Sequence, residues 1–165
     1  MGRRRYLQPP LTRKRSSDMI PAPALWLGLA GLIPFYAPVI WRFFAEDADA
    51  GRAEIAFTLY AAVILSFLGG TRWGREVVHA MAVPRARELT LAILPSLGGW
   101  LAVAAHLGGY KQIAWAGLIL AFALVFFWDW RGAKDGTWPE WYGRLRLLLS
   151  FGAVFSAAAM IVLNV

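Results

Sequence analysis

The chain has no cysteine among its 165 residues. That absence excludes a disulfide framework, thiolate metal sites, cysteine-ligated iron–sulfur clusters and cysteine nucleophiles, while leaving the redox compartment open. Charge is scarce as well: 16% of residues are charged and 59% apolar, against roughly 25% and about 45–50% in soluble domains. The strings that usually announce chemistry are also missing. There is no G-x-x-x-x-G-K-[ST] phosphate loop, no H-E-x-x-H and no G-x-S-x-G. Nothing implies a catalytic residue, a cofactor or a metal. The two histidines, His79 and His106, are expected near opposite membrane faces, too far apart to ligate one haem or metal.

What is present is apolar length. A soluble domain of this size buries only about two-thirds of its surface on folding, so the apolar surplus needs a second solvent, and lipid is the natural one. Five apolar stretches are long enough for the roughly 17–25 residues that a helix needs to cross a bilayer. They predict helices over about 24–44, 55–81, 89–107, 112–130 and 145–165. The runs are continuous and lack period-2 alternation, which selects helices over a barrel. The expected fold class is therefore all-α integral membrane: a bundle of five transmembrane helices over residues 23–165, behind a short basic tail at 1–22.

That tail holds Arg3, Arg4, Arg5, Arg13, Lys14 and Arg15. It reads as a disordered cytoplasmic arm drawn to anionic headgroups. Its start resembles both a twin-arginine signal and a mitochondrial transit peptide. The first apolar run is too long for a signal h-region, whereas the transit reading stays open for a eukaryotic host.

Alternate segments divide the basic residues unevenly. The tail, then Arg72, Arg75, Arg85 and Arg87, then Arg131, Lys134, Arg144 and Arg146 share one side. Arg42, Arg52 and Lys111 lie on the other, so fourteen of the 17 basic residues face one way. This positive-inside asymmetry puts the N-terminus in the cytoplasm and Val165 outside. It also explains the net charge of +7 without a nucleic-acid partner. Membrane lipids, and other membrane protein subunits, are the partners expected. Trp26, Trp41, Trp73, Trp115, Trp128, Trp130, Trp138 and Trp141 fall near span ends, where amphipathic rings suit the headgroup layer; Trp100 lies inside the third span. Glu46, Asp47, Asp49 and Glu54 read as a solvated acidic outer loop, and no acid falls deep in a span, which counts against a proton-coupled carrier.

Charge near the arginine-rich rim carries the most information. Arg72 lies at or just inside the inner boundary, with Glu76 four residues on, able to pair along one helical face. Asp129 ends the fourth apolar run, and Arg144 and Arg146 open the fifth. Arg72, Glu76, Asp129 and Arg146 are expected to form an ion cluster joining helices two, four and five, because charges at this depth need partners or must snorkel. Pro34 and Pro95 are expected to kink helices one and three. Small pairs such as Gly70/Gly74 allow close helix approach.

Three segments carry a family resemblance. Tyr60-Ala61-Ala62-Val63-Ile64-Leu65-Ser66-Phe67-Leu68-Gly69-Gly70-Thr71-Arg72-Trp73-Gly74 resembles the signature of an uncharacterised membrane family. That family spans proteobacterial proteins and the eukaryotic, mitochondrial transmembrane protein 69. Trp138-Pro139-Glu140-Trp141-Tyr142-Gly143-Arg144-Leu145-Arg146 is similar to its second block, and Leu27-Gly28-Leu29-Ala30-Gly31-Leu32-Ile33-Pro34-Phe35 to its first helix. The resemblance covers residues 24–165. It implies a fold and an address, the bacterial inner membrane or its mitochondrial counterpart, but no activity. Physically, Gly69, Gly70 and Gly74 would let a neighbour pack beside Arg72, with Trp73 in the headgroup layer. The reading that follows is a non-catalytic scaffold, assembly factor or accessory subunit. The alternatives are a small oligomeric transporter or channel, and a lipid- or quinone-acting enzyme.

Overall fold

The computed structural model describes residues 19–79 and 83–164. Residues 1–18 of the expected tail, and Met81 at the expected end of the second helix, lie outside the described residues. Six helices follow in order: α1 (Ala22–Ala30), α2 (Ile33–Phe44), α3 (Asp47–His79), α4 (Ala86–Leu107), α5 (Lys111–Lys134) and α6 (Glu140–Val162). Helices α1 and α2 together make one span, so the chain has five helical segments long and apolar enough to cross a membrane.

The first span breaks at Gly31-Leu32, one turn before the kink expected at Pro34. Pro34 sits instead in the first turn of α2, where its missing N–H costs no helical hydrogen bond. The Gly31 carbonyl turns to accept a 2.7 Å hydrogen bond from the Tyr60 hydroxyl of α3. Pro38 and Pro95 are both buried within their helices, and α4 continues through Pro95 without interruption.

Helix α3 has 33 residues, about 50 Å at 1.5 Å per residue, so it overshoots a hydrocarbon core of about 30 Å. It begins eight positions before the apolar run does. The acidic stretch is therefore mostly helix rather than loop, and Glu54 is buried.

The spans pack round in chain order, and α6 closes back on α1 and α2. Helix α3 is the centre: 44% of its apolar window is buried, against 11% for the first span. Glycine sets its approach to α4. A Cβ on Gly99 would come within 2.8 Å of the Ala62 Cα, and one on Gly69 would collide with the Ala92 carbonyl. Phe35 fills the point where α2, α3 and α5 meet, with ring centroids 5.8 Å from Phe57, 5.0 Å from Tyr60 and 5.7 Å from Phe122. Positive φ at Gly109 (88°) and Gly136 (72°) lets the α4–α5 and α5–α6 turns reverse tightly. The outer surface is apolar, and Trp100 is 65% exposed on it, as a lipid-facing ring would be.

Candidate functional site

Helices α3 to α6 each present a buried stripe with alternating three- and four-residue spacing, the seam that packs helix on helix. On α5 it runs Trp115, Leu118, Phe122, Val125, Asp129, Gly132. Asp129 thus occupies a core position, and so does Arg146, in phase with Gly143, Ser150 and Ala153 on α6. A carboxylate forced inward requires cationic partners. Arg72 of α3 supplies Nε at 2.9 Å and Nη2 at 2.7 Å, both donating to Asp129 Oδ1. Arg146 Nε donates to Oδ2 at 2.8 Å. One carboxylate therefore ties three helices together. The Arg72 guanidinium also lies 3.8 Å from the Trp128 ring centroid, a cation–π contact.

Glu76 does not join this triad. It turns to the α3–α4 connection, where Oε1 accepts from the Arg85 backbone N–H at 2.8 Å and from Nε at 3.0 Å, and Oε2 from Nη2 at 2.9 Å. The two side-chain bonds to Glu76, with its charge, raise the pKa of the Arg85 guanidinium above its ordinary value. Arg144 is exposed on α6, and Trp73 is partly exposed on α3. Of the three motif glycines, only Gly69 packs within the bundle. A Cβ on Gly70 or Gly74 would meet nothing within 4 Å, so these two, with exposed Ser66, face outward. Other glycines allow close packing here: a Cβ on Gly132 of α5 would reach within 2.7 Å of Trp138 in the α5–α6 connection, and one on Gly143 of α6 within 3.0 Å of Ala133 of α5.

Beside the triad, a slot of about 160 Å³ opens between the first span, α3 and α6, with Leu27 and Phe67 at its lipid side and Arg146 and Ser150 in its lining. Arg146 Nη2 and Ser150 Oγ are buried without hydrogen-bond partners. On the α4 side, Arg72, Arg75, Arg85, Arg87 and Arg131 line a basin of about 310 Å³.

The opposite end holds a second cluster that the apolar runs did not reveal. Glu54 pairs with Arg42 of α2 at 3.2 Å and with Lys111 of α5. Arg42 also donates to the Asn164 side chain. Beneath it, the Thr58 hydroxyl donates to the Glu54 carbonyl at 3.0 Å and accepts from Trp115 Nε1 at 3.1 Å, with His106 Nδ1 at 2.9 Å. The hydroxyl has one proton and gives it to Glu54, which assigns His106 the tautomer with its proton on Nδ1. A signal for this cluster exists in the sequence. Glu54, Thr58, Ala61, Leu65, Leu68 and Arg72 repeat the same alternating spacing, so Glu54 shares Arg72's face of α3. Among the described residues, no three His, Asp or Glu side chains gather so as to hold a metal ion.

Two curated proteins, both called transmembrane protein 69, are similar to this chain. The Xenopus tropicalis protein is 36% identical over 146 residues, covering 86% of this chain and 54% of its own length. The Mus musculus protein is 29% identical over 164 residues, covering 94% of this chain and 63% of its own length. The chain thus spans less than two-thirds of either relative. No solved structure matches it. Residues 20–162 match the family described as "Protein of unknown function (DUF3429)", and this multi-pass membrane protein belongs to that family, the one its Gly-Gly-Thr-Arg-Trp-Gly signature resembles.

Proposed function

We propose that the chain is a non-catalytic accessory subunit, scaffold or assembly factor of the bacterial inner membrane, or of the mitochondrial inner membrane in a eukaryotic host. The observation that carries this reading is where the charge goes. Asp129 and Glu54, each 2% exposed, each bind two cations from other helices. Such pairing spends charge on holding the bundle in shape, whereas catalytic groups are usually left poised. The outward stripe of Ser66, Gly70 and Gly74 supports the same reading, since small residues let a transmembrane helix of another subunit approach α3 closely.

A chain without cysteine suits a direct test. Single Gly70→Cys and Gly74→Cys variants, cross-linked in native membranes, should each give one product of defined mass. A Leu120→Cys control, placed on the lipid-exposed face of α5, should not. Equal products from all three positions, or none, would remove the helix-docking role.

The Lys/Arg asymmetry supports a cytoplasmic N-terminus and an outward C-terminus. Reporter fusions after Ala45, Val83, Gly109, Gly136 and Val165 should alternate in compartment, and two adjacent sites reporting alike would contradict the topology.

The slot at Arg146 favours one further reading, action on a lipid or quinone. Its unpartnered Nη2 and Oγ suit a lipophilic molecule with a carbonyl or carboxylate end. A Ser150→Leu variant should then lose photolabelling by a long-chain carboxylate probe, and undiminished labelling would count against this reading.

A further inference from the structure

Two concavities on the α4–α5 face share an edge. One is an apolar groove of about 270 Å³, with Gly98 of α4 and Gly117 of α5 in its floor. The other is the arginine-lined basin. Leu91 and Trp128 line both, so the groove and the basin lie end to end.

The groove exists because two side chains are missing. A Cβ on Gly117 would meet nothing within 4 Å, and one on Gly98 would first meet the Ala121 Cβ, at 3.9 Å. Leu94, Leu120 and Leu124 stand along its sides. From Gly117 to Trp128 the groove follows eleven residues of α5, about 16 Å. That is half of a hydrocarbon core about 30 Å thick, the depth that one leaflet's acyl chain fills.

The basin carries the opposite chemistry. Its lining holds five arginines against three acids, Glu76, Glu88 and Asp135; with Arg72 committed to Asp129, four arginines face three acids, an excess of one positive charge. Arg87 and Arg131 are exposed at its rim, and neither shares in the Asp129 triad. Guanidinium groups bind phosphate oxygens through paired N–H donors. Trp128 stands at the junction with its ring against Arg72, an amphipathic side chain where acyl chain and headgroup would meet.

We propose that this groove and basin form a binding site for one anionic glycerophospholipid, with an acyl chain along α4 and α5 and the phosphate among the arginines. The site is separate from the Ser66/Gly70/Gly74 face of α3, so it stands whether or not the chain docks a partner helix there.

The test is native mass spectrometry of the full chain, delipidated in mild detergent and titrated with phosphatidylglycerol, phosphatidylcholine or soluble glycerol phosphate. The expected result is a one-to-one phosphatidylglycerol adduct that outlasts the phosphatidylcholine adduct, with no retained glycerol phosphate. Arg87→Gln and Arg131→Gln should each weaken phosphatidylglycerol binding about fivefold. Gly117→Leu should abolish the preference by filling the groove, with thermal unfolding little changed because a Cβ there meets nothing within 4 Å. Equal retention of both lipids, wild-type binding by Gly117→Leu, or glycerol phosphate bound as tightly as the lipid would each overturn the proposal. The last outcome would make the basin a site for soluble anions.

Discussion

The two ends of the bundle solve one problem with different degrees of dryness. At each end a single buried carboxylate is shared by two cations from other helices. Around Asp129 the cations are sealed in, with side-chain exposures of 10% for Arg72 and 6% for Arg146. Around Glu54 they remain wet, at 22% for Arg42 and 43% for Lys111. Glu54 and Arg72 lie eighteen positions apart on α3, five full turns, so they share a face and stand about 27 Å apart. That separation is close to the hydrocarbon thickness. The bundle is tied at both membrane boundaries along one stripe of one helix. The difference between the ends is what becomes of a cation that loses its partner. At the Glu54 end it can snorkel to water; at the Asp129 end Arg146 is trapped and only the edge of Arg72 reaches the basin.

The largest expected effect is therefore at Asp129. Asp129→Ala leaves two buried arginines unpaired and should lower stability by about 3–5 kcal/mol, the range for breaking a buried ion pair from one side. Reversible unfolding in mixed detergent measures it. Glu54→Ala should cost less, about 1–3 kcal/mol, because Arg42 and Lys111 can rehydrate. A loss equal to that of Asp129→Ala would erase the distinction between the ends. Trp128→Leu removes the ring beneath Arg72 and should cost about 0.5–2 kcal/mol, while leaving the Glu54 cluster unaffected. Smallest is Lys111→Ala, under about 1 kcal/mol and further reduced by salt, as for a partly exposed pair.

The five spans were legible because apolar length registers directly in composition. The Asp129 triad was partly legible, since Arg72, Asp129 and Arg146 interrupt apolar runs where a charge needs a reason. Glu54 was not, for a physical reason. Averaging hydrophobicity over a run starts the helix at Ile55, but α3 continues beyond the hydrocarbon, and burial there depends on helical phase. Read by phase, Glu54 falls in line with Thr58, Ala61 and Leu65. Glu76 misled in the opposite direction. Its neighbour one turn back is Arg72, yet that guanidinium already donates twice to Asp129, leaving Glu76 to Arg85 beyond Pro84. In the first span, Pro34 marks the discontinuity but does not sit at it. A proline fits the first turn of a helix better than its interior, so the break falls just before it, at Gly31-Leu32. The groove on α4 and α5 left only a faint trace, two glycines on separate helices that become one surface only when the helices pack.

The most direct test of the two-ended tie is a double-mutant cycle on Arg72→Ala and Asp129→Ala, read as unfolding free energy in mixed detergent. If the pair holds α3 against α5, the double variant should lose clearly less than the sum of the singles, with a coupling above about 0.5 kcal/mol. Losses that simply add would mean that Arg72 and Asp129 act independently, and the account of the bundle's arginine-rich end would be wrong.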